Sequence, residues 1–221
     1  MPSVLSVLLD LDGTLVDSQP GIAASCLASL RALGHDPGEA LDIKSVVGPP
    51  LEDILRALLE RYGDDRIEEA VAAYRHHYGE IGLLETSPYP GICCALQEMK
   101  RAGIRIYLAT SKREIFARRI LENLKFTPYF DGIYGSMPGG KLDRKPELIA
   151  HILSEQGIRA SHSLMIGDRR LDIIGAHAVN MRGVGVLWGY GSRGELETAG
   201  ADRLVEWTGD LTSAVLAMLN T

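Results

Sequence analysis

Several things are scarce in this sequence, and each shortage excludes a class of protein. Cysteine occurs three times in 221 residues, as Cys26, Cys93 and Cys94. An odd count with two residues adjacent makes no disulfide framework, and no Cys-x-x-Cys pair offers a zinc site. The three are expected to be reduced thiols of a cytoplasmic protein. Positive charge is also short: 23 Lys and Arg face 29 Asp and Glu, for a formal net charge of −6. No basic run forms a tail, so a nucleic-acid partner, which needs clustered cations, is not expected. No apolar run is long enough to cross a bilayer. The start, Met1-Pro2-Ser3-Val4-Leu5-Ser6, lacks the basic n-region of a signal peptide. Internal repeats and low-complexity stretches are absent as well.

What is present is ordinary for a globular chain. Hydrophobic residues make up 46% and charged residues 24%, enough for a proper core without signs of disorder. The length fits one larger domain, or one domain with a smaller insertion.

Periodicity divides the chain. Leu5 to Leu11 is a short apolar run that turns acidic, read as a buried parallel strand carrying Asp10 at its end. Asp12-Gly13-Thr14 then reads as a tight turn. From Asp17 to Leu84 no strand is evident; apolar spacing gives helices over Ile22–Leu33, Leu51–Tyr62 and Ile67–Leu83. After Pro88-Tyr89-Pro90-Gly91 the strand–helix alternation begins again. Strands are expected at Ile104–Ala109, Gly132–Gly135, Ser163–Ile166 and Gly183–Leu187. Helices are expected at Ile92–Ala102, Arg113–Leu124, from about Pro146, and at Leu171–Asn180. The expectation is an α/β fold, a doubly wound parallel sheet formed by residues 1–15 and 88–221, with an all-helical domain of residues 16–87 inserted after the first strand.

In such sheets ligands bind at the carboxyl ends of the strands. Those ends offer Asp10 and Asp12, Thr110 and Ser111, and Gly167-Asp168, with Lys145 in the loop before a helix. Crowded carboxylates repel unless a cation lies between them, and oxygen ligands suit Mg²⁺. One carboxylate can attack phosphorus, and a second can move the proton. A hydroxyl and an ammonium can neutralise the transferring oxygens. Taken singly, each residue has a plainer reading: Asp12-Gly13 as a turn, Asp168 as a helix cap, Asp172 as a surface acid in a first helical turn, Lys145 as a solvated lysine. Adjacent His76 and His77 point in different directions along a helix and are read as polar groups of the cap surface or hinge side. Trp188 and Tyr190 are read as packing.

The set as a whole resembles the haloacid dehalogenase-like hydrolase superfamily over nearly the full chain. The resemblance rests on Asp10-Leu11-Asp12-Gly13-Thr14-Leu15-Val16-Asp17-Ser18, on Ala109-Thr110-Ser111-Lys112, on Lys145-Pro146, and on Ile166-Gly167-Asp168-Arg169-Arg170-Leu171-Asp172. The tail Trp188-Gly189-Tyr190-Gly191 looks like the phosphoglycolate phosphatase branch, and Ala109-Thr110-Ser111-Lys112 with that tail also resembles 5′-nucleotidase-like members. The resemblance implies a Rossmann-like core with a helical cap, a Mg²⁺ cofactor, and phosphate removal from a small soluble phosphate ester. It implies Asp10 as nucleophile and Asp12 as general acid/base. Mg²⁺ would be held by Asp10, the Asp12 backbone carbonyl and Asp168, with Asp172 behind them. Phosphate would meet Lys145 and the hydroxyl of Thr110 or Ser111. Gly48 and Pro49 would form the cap loop facing the substrate. Phosphoglycolate is the leading substrate, a nucleoside 5′-monophosphate or a broad set of esters the alternative. A sugar-phosphate mutase would want a more basic cap loop than Pro49-Pro50-Leu51. A phospho-accepting signalling module would be shorter and lack the insertion. Oligomeric state is not legible.

Overall fold

The computed structural model describes residues 5–38 and 51–219. Gly48 and Pro49 lie outside them. The chain forms two compact units, Met1–Asp17 with Pro88–Thr221, and Ser18–Ser87. The first unit keeps Val16 and Asp17, two residues more than the sequence boundary assigned to it.

The first unit is built around β1 (Ser6–Leu9), all four of whose residues are buried. A strand buried on both faces reads as a continuous apolar run, as this one does. The chain then passes through β2 (Val16–Asp17) into α1 (Gln19–Ala32), α2 (Leu51–Glu60) and α3 (Ile67–Glu80), and returns through β3 (Ser87–Pro88). The two short strands pair as a ribbon; neither shows in the sequence, because two residues carry no period.

The remaining elements alternate: α4 (Ile92–Arg101), β4 (Arg105–Arg113), α5 (Glu114–Asn123), β5 (Gly132–Ser136), α6 (Lys145–Gln156), β6 (Ser163–Gly167), α7 (Arg170–His177), β7 (Arg182–Val186), α8 (Arg193–Thr198), β8 (Arg203–Val205) and α9 (Leu211–Leu219). The six-stranded sheet has the order β5-β4-β1-β6-β7-β8 and is parallel throughout. Leu8 is paired with Tyr107 on one side and Met165 on the other. These three therefore share a face, where Leu148, Ile149 and Ile152 of α6 and Ala176 of α7 pack on them. Two sequence expectations are corrected. Strand β4 runs on through Thr110 and Ser111 to Arg113, because pairing with β5 resumes at Arg113↔Ser136 after a register shift. Lys145 lies on the first turn of α6, one residue before Pro146, not in a loop.

The second unit is helical. α3 packs along α1, and the turn at Gly82 closes against α1 where side chains are absent: a Cβ on Gly21 would lie 1.9 Å from Gly82 O. Ser25 Oγ meets His77 Nδ1 at 3.0 Å, which gives His77 a role inside this unit, while His76 is exposed. At the other end of α1, His35 Nε2 pairs with Asp64 Oδ2 at 2.6 Å and Arg66 donates to Leu33 O at 2.9 Å.

Candidate active site

The strand order changes direction once, after β5, where the chain crosses over to β6, so that β1 and β6 end side by side. Asp10 follows β1 and its N–H donates to Ile166 O of β6 at 2.9 Å. Its backbone is thus fixed by the neighbouring strand. The next residues wind tightly: Leu11 O accepts from the N–H groups of Leu15 and Val16 at 2.9 and 3.1 Å. Gly13 sits in this turn with φ +79°, and a Cβ there would lie 2.2 Å from Asp168 Oδ2. Only glycine satisfies both conditions.

Asp168 follows β6 and is wholly buried. Its Oδ2 accepts from Tyr190 N at 2.8 Å and its Oδ1 from Thr14 Oγ1 at 3.4 Å. Asp172, in the first turn of α7, is likewise buried and accepts from Arg169 N at 3.1 Å. Lys145 Nζ reaches into this group. It donates to Ala109 O at 2.7 Å and lies 3.0 Å from Asp10 Oδ1 and 2.6 Å from Asp172 Oδ1. The last two are ion pairs of a buried ammonium with buried or half-buried carboxylates. Carboxylate oxygens of Asp10, Asp168 and Asp172 all lie within 4.8 Å of one another.

Thr110 is 1% exposed and its Oγ1 accepts from Lys112 N at 3.2 Å; Ser111 is exposed. Of the two hydroxyls, Thr110 is the one held on the inside of the strand end. Lys112 Nζ lies 3.0 Å from Asp12 Oδ2, a pair not foreseen from sequence. The turn Arg169-Arg170 is held by Glu195 Oε1, which accepts from Arg169 Nε and Arg170 N at 2.9 Å each. Trp188 Nε1 donates to Thr14 O at 2.9 Å. Trp188 and Tyr190, read from sequence as packing groups, hydrogen-bond within the protein around the acidic turn.

A family model described as haloacid dehalogenase-like hydrolase matches residues 7–186, from β1 to the end of β7. The chain belongs to the haloacid dehalogenase-like hydrolases. This hydrolase is 40% identical over 193 residues to a 5′-nucleotidase of Pseudomonas aeruginosa, covering 86% of each chain. It is 35% identical over 212 residues to a phosphoglycolate phosphatase of Neisseria gonorrhoeae, covering 91% of this chain and 89% of the relative. Among solved structures it resembles protein tyrosine kinase A of Mycobacterium tuberculosis, with TM-score 0.80, 34% identity, and coverage of 97% of this chain and 99% of that one.

The electrostatics of the hydrolase site call for a cation. Burial, then the negative charges of Asp172 and Asp10, push Asp168 from its ordinary 3.8 up to about 8. Burial also raises Asp172, against the pull of Lys145. Burial disfavours the charge on Lys145, but Asp10 and Asp172 outweigh it and hold the ammonium charged. Four carboxylates, Asp10, Asp12, Asp168 and Asp172, are matched by the two ammonium groups of Lys145 and Lys112. With all four ionised, two negative charges remain within this set, a balance that a divalent ion would complete. All the donors are oxygens, which suits a hard ion such as Mg²⁺.

A pH dependence follows. With no ion bound, the raised value keeps a proton on Asp168 up to about pH 8. A carboxylate raised in the folded state stabilises it below the unfolded value, and that stability is lost as pH rises through the folded value. An ion must displace the proton, so Mg²⁺ affinity is expected to weaken about tenfold per pH unit below 8. Titration calorimetry at pH 6, 7 and 8 measures this. Asp168→Asn should flatten the dependence, and a flat profile in the wild type would remove Asp168 from the ligand set.

Proposed function

We propose that this hydrolase is a Mg²⁺-dependent phosphomonoesterase that works through a phospho-aspartate on Asp10. The observation that carries the reading is the convergence of Asp10, Asp168 and Asp172 within 4.8 Å, with Lys145 Nζ between Asp10 and Asp172. Asp10, Asp168 and the Asp12 carbonyl would hold the ion, which would supply positive charge to the phosphate oxygens.

The chain's own groups divide the remaining work. A carboxylate oxygen of Asp10 attacks phosphorus in line, and the ester oxygen leaves. Asp12 gives that oxygen its proton, then takes one from the water that cleaves the acyl phosphate, restoring Asp10. Lys145 and Thr110 neutralise the non-bridging oxygens. Asp172 keeps Lys145 aimed at them, and Lys112 fixes the carboxylate of Asp12. The helical unit, Ser18–Ser87, acts as the cap that excludes bulk water and selects the leaving group. The free thiols fit a cytoplasmic setting.

The substrate is a small phosphate ester, with 2-phosphoglycolate first and nucleoside 5′-monophosphates second. The deciding experiment compares kcat/KM for both, with Mg²⁺. A preference of about a hundredfold, or about 2.7 kcal/mol of transition-state discrimination, names the substrate. Slow and equal turnover of both would point to a broad phosphatase. Phosphoryl transfer from ATP to a tyrosine peptide, without hydrolysis of either ester, would overturn the reading in favour of the kinase likeness.

A further inference from the structure

The segment Trp188-Gly189-Tyr190-Gly191 takes no part in the chemistry above, yet it lies directly against the acidic site. A Cβ on Gly189 would lie 2.2 Å from Gly13 O and 2.4 Å from Asp168 Cβ, and one on Gly191 would lie 1.9 Å from Asp168 O. The two glycines let the backbone lie flat against Asp168. Tyr190 between them makes contacts in two directions. Its N–H donates to Asp168 Oδ2 at 2.8 Å. Its hydroxyl donates to Asp17 Oδ1 at 2.9 Å, and the half-buried Tyr89 hydroxyl lies nearby, its pKa raised by that burial and by the charge of Asp17.

Asp17 and Tyr89 are not arbitrary neighbours. Asp17 is the last residue of the first unit before the chain leaves it, and Tyr89 is the second after the chain returns at Pro88. Tyr89 N also donates to Leu15 O at 3.1 Å, which ties the return to the acidic turn. The chain passes between the units at residues 17–18 and 87–88. Tyr190 therefore holds the outgoing crossing with its side chain and Asp168 with its backbone, while Tyr89 N ties the returning crossing to the same acidic turn.

We propose that Tyr190 is a positioning residue that couples the Asp168 carboxylate to the two chain crossings, so that loading the acidic site tightens both. This rests on the reading of Asp168 as a Mg²⁺ ligand. A tyrosine that merely packs would support the fold equally with and without the ion. A coupling residue transmits the ion's presence to segments that do not touch it.

The experiment is hydrogen–deuterium exchange of the full chain with and without Mg²⁺, read on peptides covering residues 14–18 and 86–90, with calorimetry of Mg²⁺ binding alongside. In the wild type, Mg²⁺ should slow exchange in both segments about tenfold. Tyr190→Phe keeps the N–H to Asp168 and removes the hydroxyl. It should bind Mg²⁺ within about threefold of wild type and lose the slowing in both segments. Asp17→Ala removes the acceptor from the other side and should give the same loss at 14–18, the double variant losing no more there. Asp17→Asn keeps an acceptor oxygen and should restore the response. If Tyr190→Phe and Asp17→Ala both bind Mg²⁺ and keep the wild-type slowing, the coupling is wrong while the ligand reading stands. If the wild type itself binds no Mg²⁺, the ligand reading fails and the coupling with it.

Discussion

Asp10→Asn is expected to lower Mg²⁺-dependent phosphate release by at least about 10⁴-fold, because an amide oxygen cannot form a stable acyl phosphate. The side chain keeps its shape, and Asp10 N still donates to Ile166 O, so the fold should survive. Loss of one negative charge beside Asp168 also relieves part of the repulsion that raises it. Phosphate release at saturating substrate measures the first effect, and a thermal melt without Mg²⁺ measures the second. A variant that melts no lower than wild type yet retains more than about 1% of its turnover would sink the nucleophile assignment.

Lys145→Met is expected to produce the largest loss of stability. The ammonium is buried between Asp10 and Asp172, and its removal leaves two carboxylates with no cation between them. Breaking a buried pair from one side costs about 3–5 kcal/mol, a large part of the usual margin of about 5–15 kcal/mol. Urea unfolding of the metal-free protein measures it. Adding Asp172→Asn to the lysine variant should return much of the loss, since the amide carries no charge. A loss below about 1 kcal/mol would mean the two carboxylates are balanced elsewhere, and the ion-pair account would have to go. Turnover should fall as well, because the same ammonium is assigned to the phosphate oxygens.

These two residues were legible from sequence for the same reason that they matter. Asp10 ends an apolar run, and Lys145 stands before a proline in a fixed order with the other motifs. Residues whose contribution is a backbone group left weaker marks. Tyr190 acts on Asp168 through its N–H, which any residue but proline possesses, so its type carried no message. Lys112 pairs with Asp12 only because β4 continues past Thr110, and that continuation follows from pairing with β5 across the register shift. No local pattern encodes it. The C-terminal β8 and α9 went unseen for a different reason. Three residues at a sheet edge are too few for alternation, and Leu211–Leu219 is buried on so much of its surface that it shows no polar stripe.

The interrupted first unit also imposes an order on biosynthesis. A ribosome releases β1 ahead of its partners Arg105–Leu108 and Ser163–Ile166, which come only after the whole helical unit has emerged. That unit is continuous, from Ser18 to Ser87, and can complete its own packing while the central strand waits. At about 5–20 residues per second the strand stays unpaired for many seconds, an apolar segment without neighbours. Chain order therefore places the helical unit between the central strand and both of its neighbours, and β1 is an apolar segment that must wait for them.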